Sequence, residues 1–290
     1  MHNYYRAIGF GRGYLKPVLR NIIKNSIEEY KEKNIEDTNG KLIEIFVQFD
    51  KSIGLAIHGE FIENGEFEIE YTFPFVKTKK YCHYNEVTVE KNAANYSFSA
   101  SCDNQDSGVS IIFYLQNALD YVNQKFPKKI SADVGLAGLS LSGKILLPTL
   151  EYDEYNKSYN KIKKDKSKMI ADAQNGDENA IENLTLDEMT TYTKISKRVL
   201  SEDVLSIVDT SFMPYGMECD RYSIIGKILD IEVCKNRVTR EKVYNMTLEC
   251  NDIIMNVVIN EDDLLGEPMI GRRFKGSIWL QGNIRFNSLD

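Results

Sequence analysis

The sequence predicts an α+β protein in three parts. Residues 1–150 form an N-terminal antiparallel sheet with helices, 151–212 a helical connector, and 213–290 an OB-like five-stranded β-barrel. Three observations carry that prediction. Between residues 42 and 147 several short runs alternate apolar and polar side chains with a period of two. From Glu151 to Phe212 the alternation stops and helical spacing replaces it. From Tyr222 to Phe286 five short runs return, with one short helical connection between the third and fourth, the strand order of a small Greek-key barrel.

Leu15, Val18, Leu19, Ile22 and Ile23 recur at helical spacing, and Pro17 suits a first turn, so a helix is expected to about Tyr30. Leu42–Phe49 reads as a strand. Ile53–Ile62 and Glu66–Phe75 read as a hairpin around Glu63-Asn64-Gly65. A two-residue turn would mix apolar and charged residues on both faces. A three-residue loop pairs Phe61 with Phe67, Ile57 with Tyr71 and Leu55 with Phe73 on one apolar face. It places Glu60 opposite Glu68 and His58 opposite Glu70 on the other, and Gly65 supplies the left-handed residue. Glu86–Lys91 and Tyr96–Cys102 follow as strands. Ile111, Leu115, Ala118 and Val122 have helical spacing, which predicts a helix, although their β-branched start also suits a strand. Leu136–Leu141 and Lys144–Leu147 read as a hairpin across Ser142-Gly143.

In the connector, Lys161–Ala173 reads as a lysine-rich helix ended by Asn175-Gly176, with its lysines on a solvated face. Thr185-Leu186-Asp187-Glu188 fits a capping box opening a helix to Val199, and Ser201 caps another short one. In the first strand of the barrel Ile224, Gly226 and Ile228 share a face, then Leu229, Ile231 and Val233 do, so a bulge is expected between them. Tyr244–Cys250 and Ile253–Ile259 are the next two strands, and Glu261–Gly266 the helical connection. In the fourth strand Phe274, Gly276, Ile278 and Leu280 face inward, leaving Arg273, Lys275, Ser277 and Trp279 outward. In the fifth Arg285 is outward, with Ile284 and Phe286 inside.

The single tryptophan thus shares an outer face with cations. Arg273, Lys275, Trp279 and Arg285 form the candidate ligand-binding face, because an aromatic platform flanked by cations is how OB barrels hold single-stranded nucleic acid. The competing expectation is that Trp279 packs against another part of the chain, as most tryptophans do.

Bulk properties narrow the function classes. Apolar residues make up 42% and charged residues 27%, the balance of an ordinary globular protein. The net charge is −7 and no region is basic, which disfavours indiscriminate binding to nucleic acid or an anionic membrane. No apolar stretch approaches the roughly 20 residues of a membrane span. The start, MHNYYRAIGFGRG, lacks the apolar core of a secretory signal, and five cysteines without a CxxC pair suit reduced thiols, so a cytoplasmic location is expected.

Chemical motifs are incomplete. Gly138 to Lys144 has the G-x4-G-K spacing of a phosphate loop, but Ile145 stands where the magnesium-binding Ser or Thr belongs, and a strand with Pro148 follows instead of a helix. Gly9-Phe10-Gly11-Arg12-Gly13 precedes a helix, but Tyr14 occupies the third glycine position of a dinucleotide loop. Cys82 and His83 are adjacent and point to opposite sides of a strand, and no spacing joins them to His58 or Cys102 as metal ligands. Glu66, Glu68 and Glu70 line one strand face, which is ordinarily the wet side of a sheet. The chain lacks Gly-x-Ser-x-Gly and has three histidines, so few bases are available for a nucleophilic engine.

Several blocks are distinctive: Arg6-Ala7-Ile8-Gly9-Phe10, Ile112 to Asn117, Gly143 to Pro148, Asn175-Gly176-Asp177, Met213-Pro214-Tyr215-Gly216, Gly271 to Gly276 and Trp279-Leu280-Gln281-Gly282. In order, along nearly the whole chain, they resemble an uncharacterised protein family of anaerobic Gram-positive bacteria. The resemblance implies a bacterial, cytoplasmic protein and transfers no site residue. The expected function is therefore a non-catalytic binding or scaffold protein using its C-terminal barrel, with no cofactor or metal and a protein or other partner of unspecified kind. The alternatives are single-stranded nucleic-acid binding through the barrel face and an enzyme with a carboxylate site around His58, Glu60, Glu68 and Glu70.

Overall fold

The computed structural model describes residues 3–11, 15–33, 42–63, 65–92, 97–104, 109–124, 127–149, 169–170, 172–186, 189 and 204–286. A 3-10 helix, Asn3–Ile8, leads to α1, Leu15–Lys33. Three strands, β1 (Leu42–Gln48), β2 (Ile53–Phe61) and β3 (Phe67–Val76), form a small antiparallel sheet in the order β1-β2-β3. Then come β4 (Cys82–Lys91), β5 (Phe98–Asn104), β6 (Val109–Leu115), the short α2 (Ala118–Gln124) and the long β7 (Lys129–Leu146). A helical run over 178–186, α3, and a single turn, α4 (Val204–Ile207), precede β8 (Ser211–Pro214). The chain ends with β9 (Arg221–Lys235), β10 (Lys242–Cys250), β11 (Ile253–Asn260), a 3-10 turn (Glu261–Asp263), β12 (Leu264–Leu265) and β13 (Arg273–Arg285).

Strands β4 to β13 make one large mixed sheet that closes on itself twice. The axis is a long antiparallel ribbon of β7 and β13, running from Arg273 beside Leu146 to Arg285 beside Asp133. One ring is β4-β5-β6-β13-β7, in which β6 meets β13 in parallel at Tyr114 and Leu115. The other is β9-β10-β11-β7-β13, in which β11 meets β7 in parallel over Leu136–Ser140. The two rings have the same plan: a three-strand meander, a short helical link, then a long strand that pairs both with its own meander and with the other one.

The ring interiors form one apolar core. Val134 and Leu136 from β7, Ile278, Leu280 and Ile284 from β13, and Phe113, Met255 and Ile224 from the meanders all lie inside it. Aromatic rings fill it by passing over glycines. A Cβ on Gly282 would stand 2.3 Å from the Phe113 ring, and one on Gly143 2.3 Å from Phe274. A second core lies on the outer side of the ribbon. There Tyr4, Tyr5, Ile8 and Phe10, Leu19 and Ile23 of α1, and the small sheet cover Tyr114, Ala137, Leu139, Val258 and Trp279. Gln281 stitches the two layers: its amide donates to Pro74 O at 2.8 Å and its carbonyl accepts from Gln116 at 2.8 Å.

The expected α+β architecture is thus corrected. The described chain is mainly strand, and residues 213–290 do not form a five-stranded barrel by themselves. The physical reason lies in two expected breaks that do not occur. Ser142-Gly143 is not a turn: β7 runs straight through it, and Gly143 is there to admit Phe274. Gly282 likewise does not end a fourth strand, because β13 continues to Arg285 with buried Gln281 bonded into the layer above. The fifth member of the C-terminal ring is therefore β7.

Other expectations are met in part. The small hairpin pairs Phe61 with Phe67 and Glu60 with Glu68, and Gly65 has φ of 77°. A register shift after His58 then puts His58 opposite Tyr71, Ile57 opposite Thr72 and Leu55 opposite Pro74, in place of the expected Glu70, Tyr71 and Phe73. In β9 the phase shift appears as a bulge: Asp230 pairs with Thr247 and Ile228 with Leu248, leaving Leu229 out of the ladder. The stretch from Ile111 is strand to Leu115 and helix only from Ala118. Thr185 lies inside α3, its hydroxyl donating back to Ile181 O, while Asp177 caps that helix through the Asn179 and Ala180 amides. Most of the expected helix Lys161–Ala173 and the segment from Glu188 through Ser201 lie outside the described residues, apart from Met189.

Candidate functional site

The four residues of the expected ligand face are dispersed. Arg273 is 3% exposed, its guanidinium donating to the carbonyls of Leu147, Leu205 and Val208 at 2.5–2.9 Å. It holds α4 against the end of β7. Burial lowers its pKa from the ordinary value. Lys275 is partly exposed, and Arg285 lies over the Tyr81 ring at 3.6 Å. Trp279 is 3% exposed, with its ring between Tyr4 (5.4 Å) and Tyr114 (5.3 Å) and its indole N–H donating to Asp220 Oδ2 at 2.7 Å. An indole held this way has no free face on which to stack a base. The carboxylates of Glu68 and Glu70 are on an exposed stretch of β3, apart from His58, which is buried on β2. Cys82 and Cys102 have thiols raised by burial, Cys102 to about 12, and His83 is occupied by Asp133 at 2.8 Å. Among the described residues no three of His, Cys, Asp and Glu converge as metal ligands.

The layer between the small sheet and the ribbon concentrates polar chemistry instead. Glu44 on β1 pairs directly with His58 on β2, and His58 Nε2 stands 2.5 Å from Glu44 Oε1, with both side chains less than a tenth exposed. The imidazole sits edge-on against Phe73 at 5.2 Å, Phe73 against Tyr114 at 4.8 Å, and Tyr114 against Trp279. Tyr71 flanks Phe73 and Tyr114 at 5.9 and 6.1 Å. Tyr5 comes from the 3-10 helix, Tyr71 from β3, Tyr114 from β6, Trp279 from β13 and Asp220 from the turn before β9. Alternation explains the convergence. Outward positions on β6 and β13 face the same layer as the even-numbered side of β2, whose odd side supplies Leu55, Ile57 and Phe61 to the packing around α1.

The electrostatics are unusual for a packing layer. Burial raises the carboxyl pKa of Glu44 above its ordinary value, with His58 working against the rise. Burial also raises Asp220, with the Trp279 N–H and Arg221 opposing it. The phenols of Tyr5, Tyr71 and Tyr114 are all pushed up by burial; at Tyr114 the neighbours Tyr71, Glu44, Asp220 and Tyr5 add to it. These tyrosines therefore stay neutral over the whole physiological range. Tyr114 Oη makes no hydrogen bond, whereas at Tyr5 the Thr72 side chain works against the effect of burial through a hydrogen bond. A buried hydroxyl without a partner costs about 1–3 kcal/mol. Tyr71, Thr72, Asp220 and Arg221 are only partly buried and form the rim where this layer meets solvent.

His58 was legible as a candidate in the sequence, but its partner was not, because the register shift in β3 moved Glu70 away. Glu44 carries a signal in hindsight: it is the single charge in the otherwise apolar run Leu42–Val47. Tyr114 lies in a distinctive block and Tyr5 beside one, and neither these nor Asp220 belongs to a motif of its own.

Comparison with known proteins adds a family and no activity. No curated protein and no solved structure matches the chain. Among the described residues no helix is long and apolar enough to cross a membrane. One family model covers residues 5–282, from Tyr5 of the polar layer to Gly282 under Phe113, and the chain belongs to that family, DUF3881, a domain of unknown function described from an E. rectale gene.

Proposed function

We propose that this is a non-catalytic binding protein that takes a small molecule into the polar layer between the three-stranded sheet and the β7–β13 ribbon. The carrying observation is the buried phenol of Tyr114, whose hydroxyl makes no hydrogen bond beside the Glu44–His58 pair. Structural hydroxyls are normally satisfied, and a cluster of perturbed titratable groups from five separate elements is the usual mark of a site. The aromatic walls supply shape and the hydroxyls and carboxyls supply orientation, as in small-molecule sites generally.

Trp279 makes the test direct, because it is the chain's single tryptophan and belongs to the layer. A small-metabolite library is titrated against the full chain while Trp279 emission and Tm are followed. Binding shifts the emission and raises Tm, by mass action on the folded state. Tyr114→Phe removes one hydroxyl and nothing else. It should abolish the shift and leave the free protein as stable as before or more stable by about 1 kcal/mol, since no hydrogen bond is lost. A destabilised Tyr114→Phe protein would make the hydroxyl structural and defeat the reading.

A second reading, acid–base catalysis, is favoured by one observation: Glu44 Oε1 and His58 Nε2 stand 2.5 Å apart, a buried carboxyl in contact with an imidazole. Turnover of any ester, phosphoester or nucleotide substrate that disappears in His58→Gln would establish it over the first.

A further inference from the structure

We infer that the outer face of the β7–β13 ribbon, at the cross-strand pair Lys144 and Lys275, binds the phosphate dianion of a small phosphate monoester. The site lies outside the polar layer, on the stretch of ribbon beyond Leu141 and Trp279, and is independent of the reading above. Register assembles it. Lys275 of β13 pairs directly with Lys144 of β7, and Phe274 beside it turns into the core, so both lysines point outward. Side chains paired in this way start about 4.5–5.5 Å apart at Cβ, close enough for two ammonium groups to converge on one anion. Three hydroxyls share that face. Ser142 and Ser277 stand two residues from the lysines on their own strands, and Ser277 pairs with Ser223 of β9. All five side chains are exposed or partly exposed, so the bed is open to a ligand from solvent.

Charge marks the pair out. Like charges directly opposite each other on a sheet are destabilising. Among the described residues neither lysine makes an ion pair, and the hydroxyls of Ser142, Ser223 and Ser277 make no hydrogen bond. The next positions along the row are apolar: Leu265 of β12 pairs with Lys144, and Ile225 of β9 with Lys275. In the neighbouring row Arg273 is committed to backbone carbonyls, and Lys227 pairs with Glu249 of β10. An uncompensated double positive charge is an exception in a chain of net charge −7. A phosphate monoester matches it, with about −1.5 to −2 charge near neutral pH and three strong acceptor oxygens for the ammonium and hydroxyl donors. Leu265, exposed beside Lys144, offers the organic part an apolar contact. A phosphodiester chain carries one charge per phosphate and needs a basic track, which Leu265, Ile225 and Glu249 interrupt. The G-x4-G-K spacing that ends at Lys144 forms no phosphate loop, because β7 is extended through it; the second cation comes from β13 instead.

The experiment uses the full chain at low ionic strength and about pH 8, above the second phosphate pKa of about 6. The probes are inorganic phosphate, phenyl phosphate and a short oligothymidylate without terminal phosphates, against sodium chloride at matched ionic strength. Calorimetry reads binding and melting reads Tm. Phosphate and phenyl phosphate should bind and raise Tm, and chloride should do neither. Lys144→Gln and Lys275→Gln should each weaken phenyl phosphate binding by at least about tenfold, and Lys275→Arg, which keeps the charge, should retain most of it. Lys51→Gln, on the exposed turn before β2, removes the same net charge and should leave binding unchanged. In phosphate-free buffer Lys144→Gln should melt at or above the wild-type Tm, relieved of repulsion. A lower Tm would show the pair to be compensated within the protein and overturn the assignment. So would silence from both phosphate and phenyl phosphate, or equal weakening by Lys51→Gln. Oligothymidylate binding tighter than phenyl phosphate overturns the monoester in favour of nucleic acid.

Discussion

Trp279 and Asp220 show how one residue reports on its surroundings. The indole N–H donates to a carboxylate whose proton affinity is raised by burial above the ordinary value of 3.8. Below its raised pKa the neutral acid is a weaker acceptor, so the indole loses its charged partner. Trp279 emission should therefore titrate with a midpoint above 3.8, and Asp220→Asn should erase the transition. A midpoint at or below 3.8 would mean that the hydrogen bond from Trp279 outweighs burial. The linkage has a definite sign. A carboxyl that binds its proton more tightly folded than unfolded favours the folded state below its unfolded pKa. That contribution is lost as pH rises through its native value. Asp220 and Glu44 both have this sign, so each favours the folded state less as pH rises through its native value. Tyr114 adds an unpartnered hydroxyl in the same place. Two carboxyls of raised proton affinity and an unpartnered hydroxyl in one layer are what a site looks like when function rather than packing chose the residues.

At the scale of elements, the ring strands are built on aromatic-over-glycine contacts. Gly282 on β13 lies beneath Phe113 of β6, where a Cβ would be 2.3 Å from the ring. Gly282→Ala should cost about 1–3 kcal/mol by overpacking. Shortening the ring relieves the clash, so Gly282→Ala with Phe113→Leu should be less destabilised than the two single changes added together, by about 1 kcal/mol in denaturant melts. Strict additivity would show that the ring already moves freely. The same contacts explain what the sequence conveyed and what it hid. Phe274, Ile278, Leu280 and Ile284 were readable as the inner face of their strands because alternation depends only on neighbours in the chain. The bulge at Leu229 was readable for the same reason. Gly143 and Gly282 were not, because a glycine admitting a distant ring has the same local appearance as a glycine making a turn. The site was half legible. His58 stood out as a rare residue, whereas its pairing with Glu44 depends on the register between β1 and β2, which the alternation within each strand does not set.

At the scale of the molecule, each ring depends on a strand from the far half of the chain. β7 completes the C-terminal ring through β11, and β13 completes the N-terminal ring through β6. The polar layer then sits across the ribbon both rings share, with Tyr114 from one half and Trp279 from the other. Such a plan is dominated by non-local pairings, which makes folding slow and the two halves interdependent. Cutting the chain between the halves tests it. Fragments 1–150 and 204–290 expressed separately each lack a strand from a ring and leave the edge of the ribbon and its apolar core exposed. Neither should melt cooperatively by circular dichroism, and each should aggregate. Expressed together they should co-purify as one species, regain a cooperative melt, and recover Trp279 emission like that of the intact chain, since Tyr114 and Trp279 meet only when the halves interlock. A fragment 204–290 that melts cooperatively alone would restore a self-contained C-terminal barrel and refute the interlock. The polar layer would then belong to a docking interface between two domains rather than to the spine of a single folding unit.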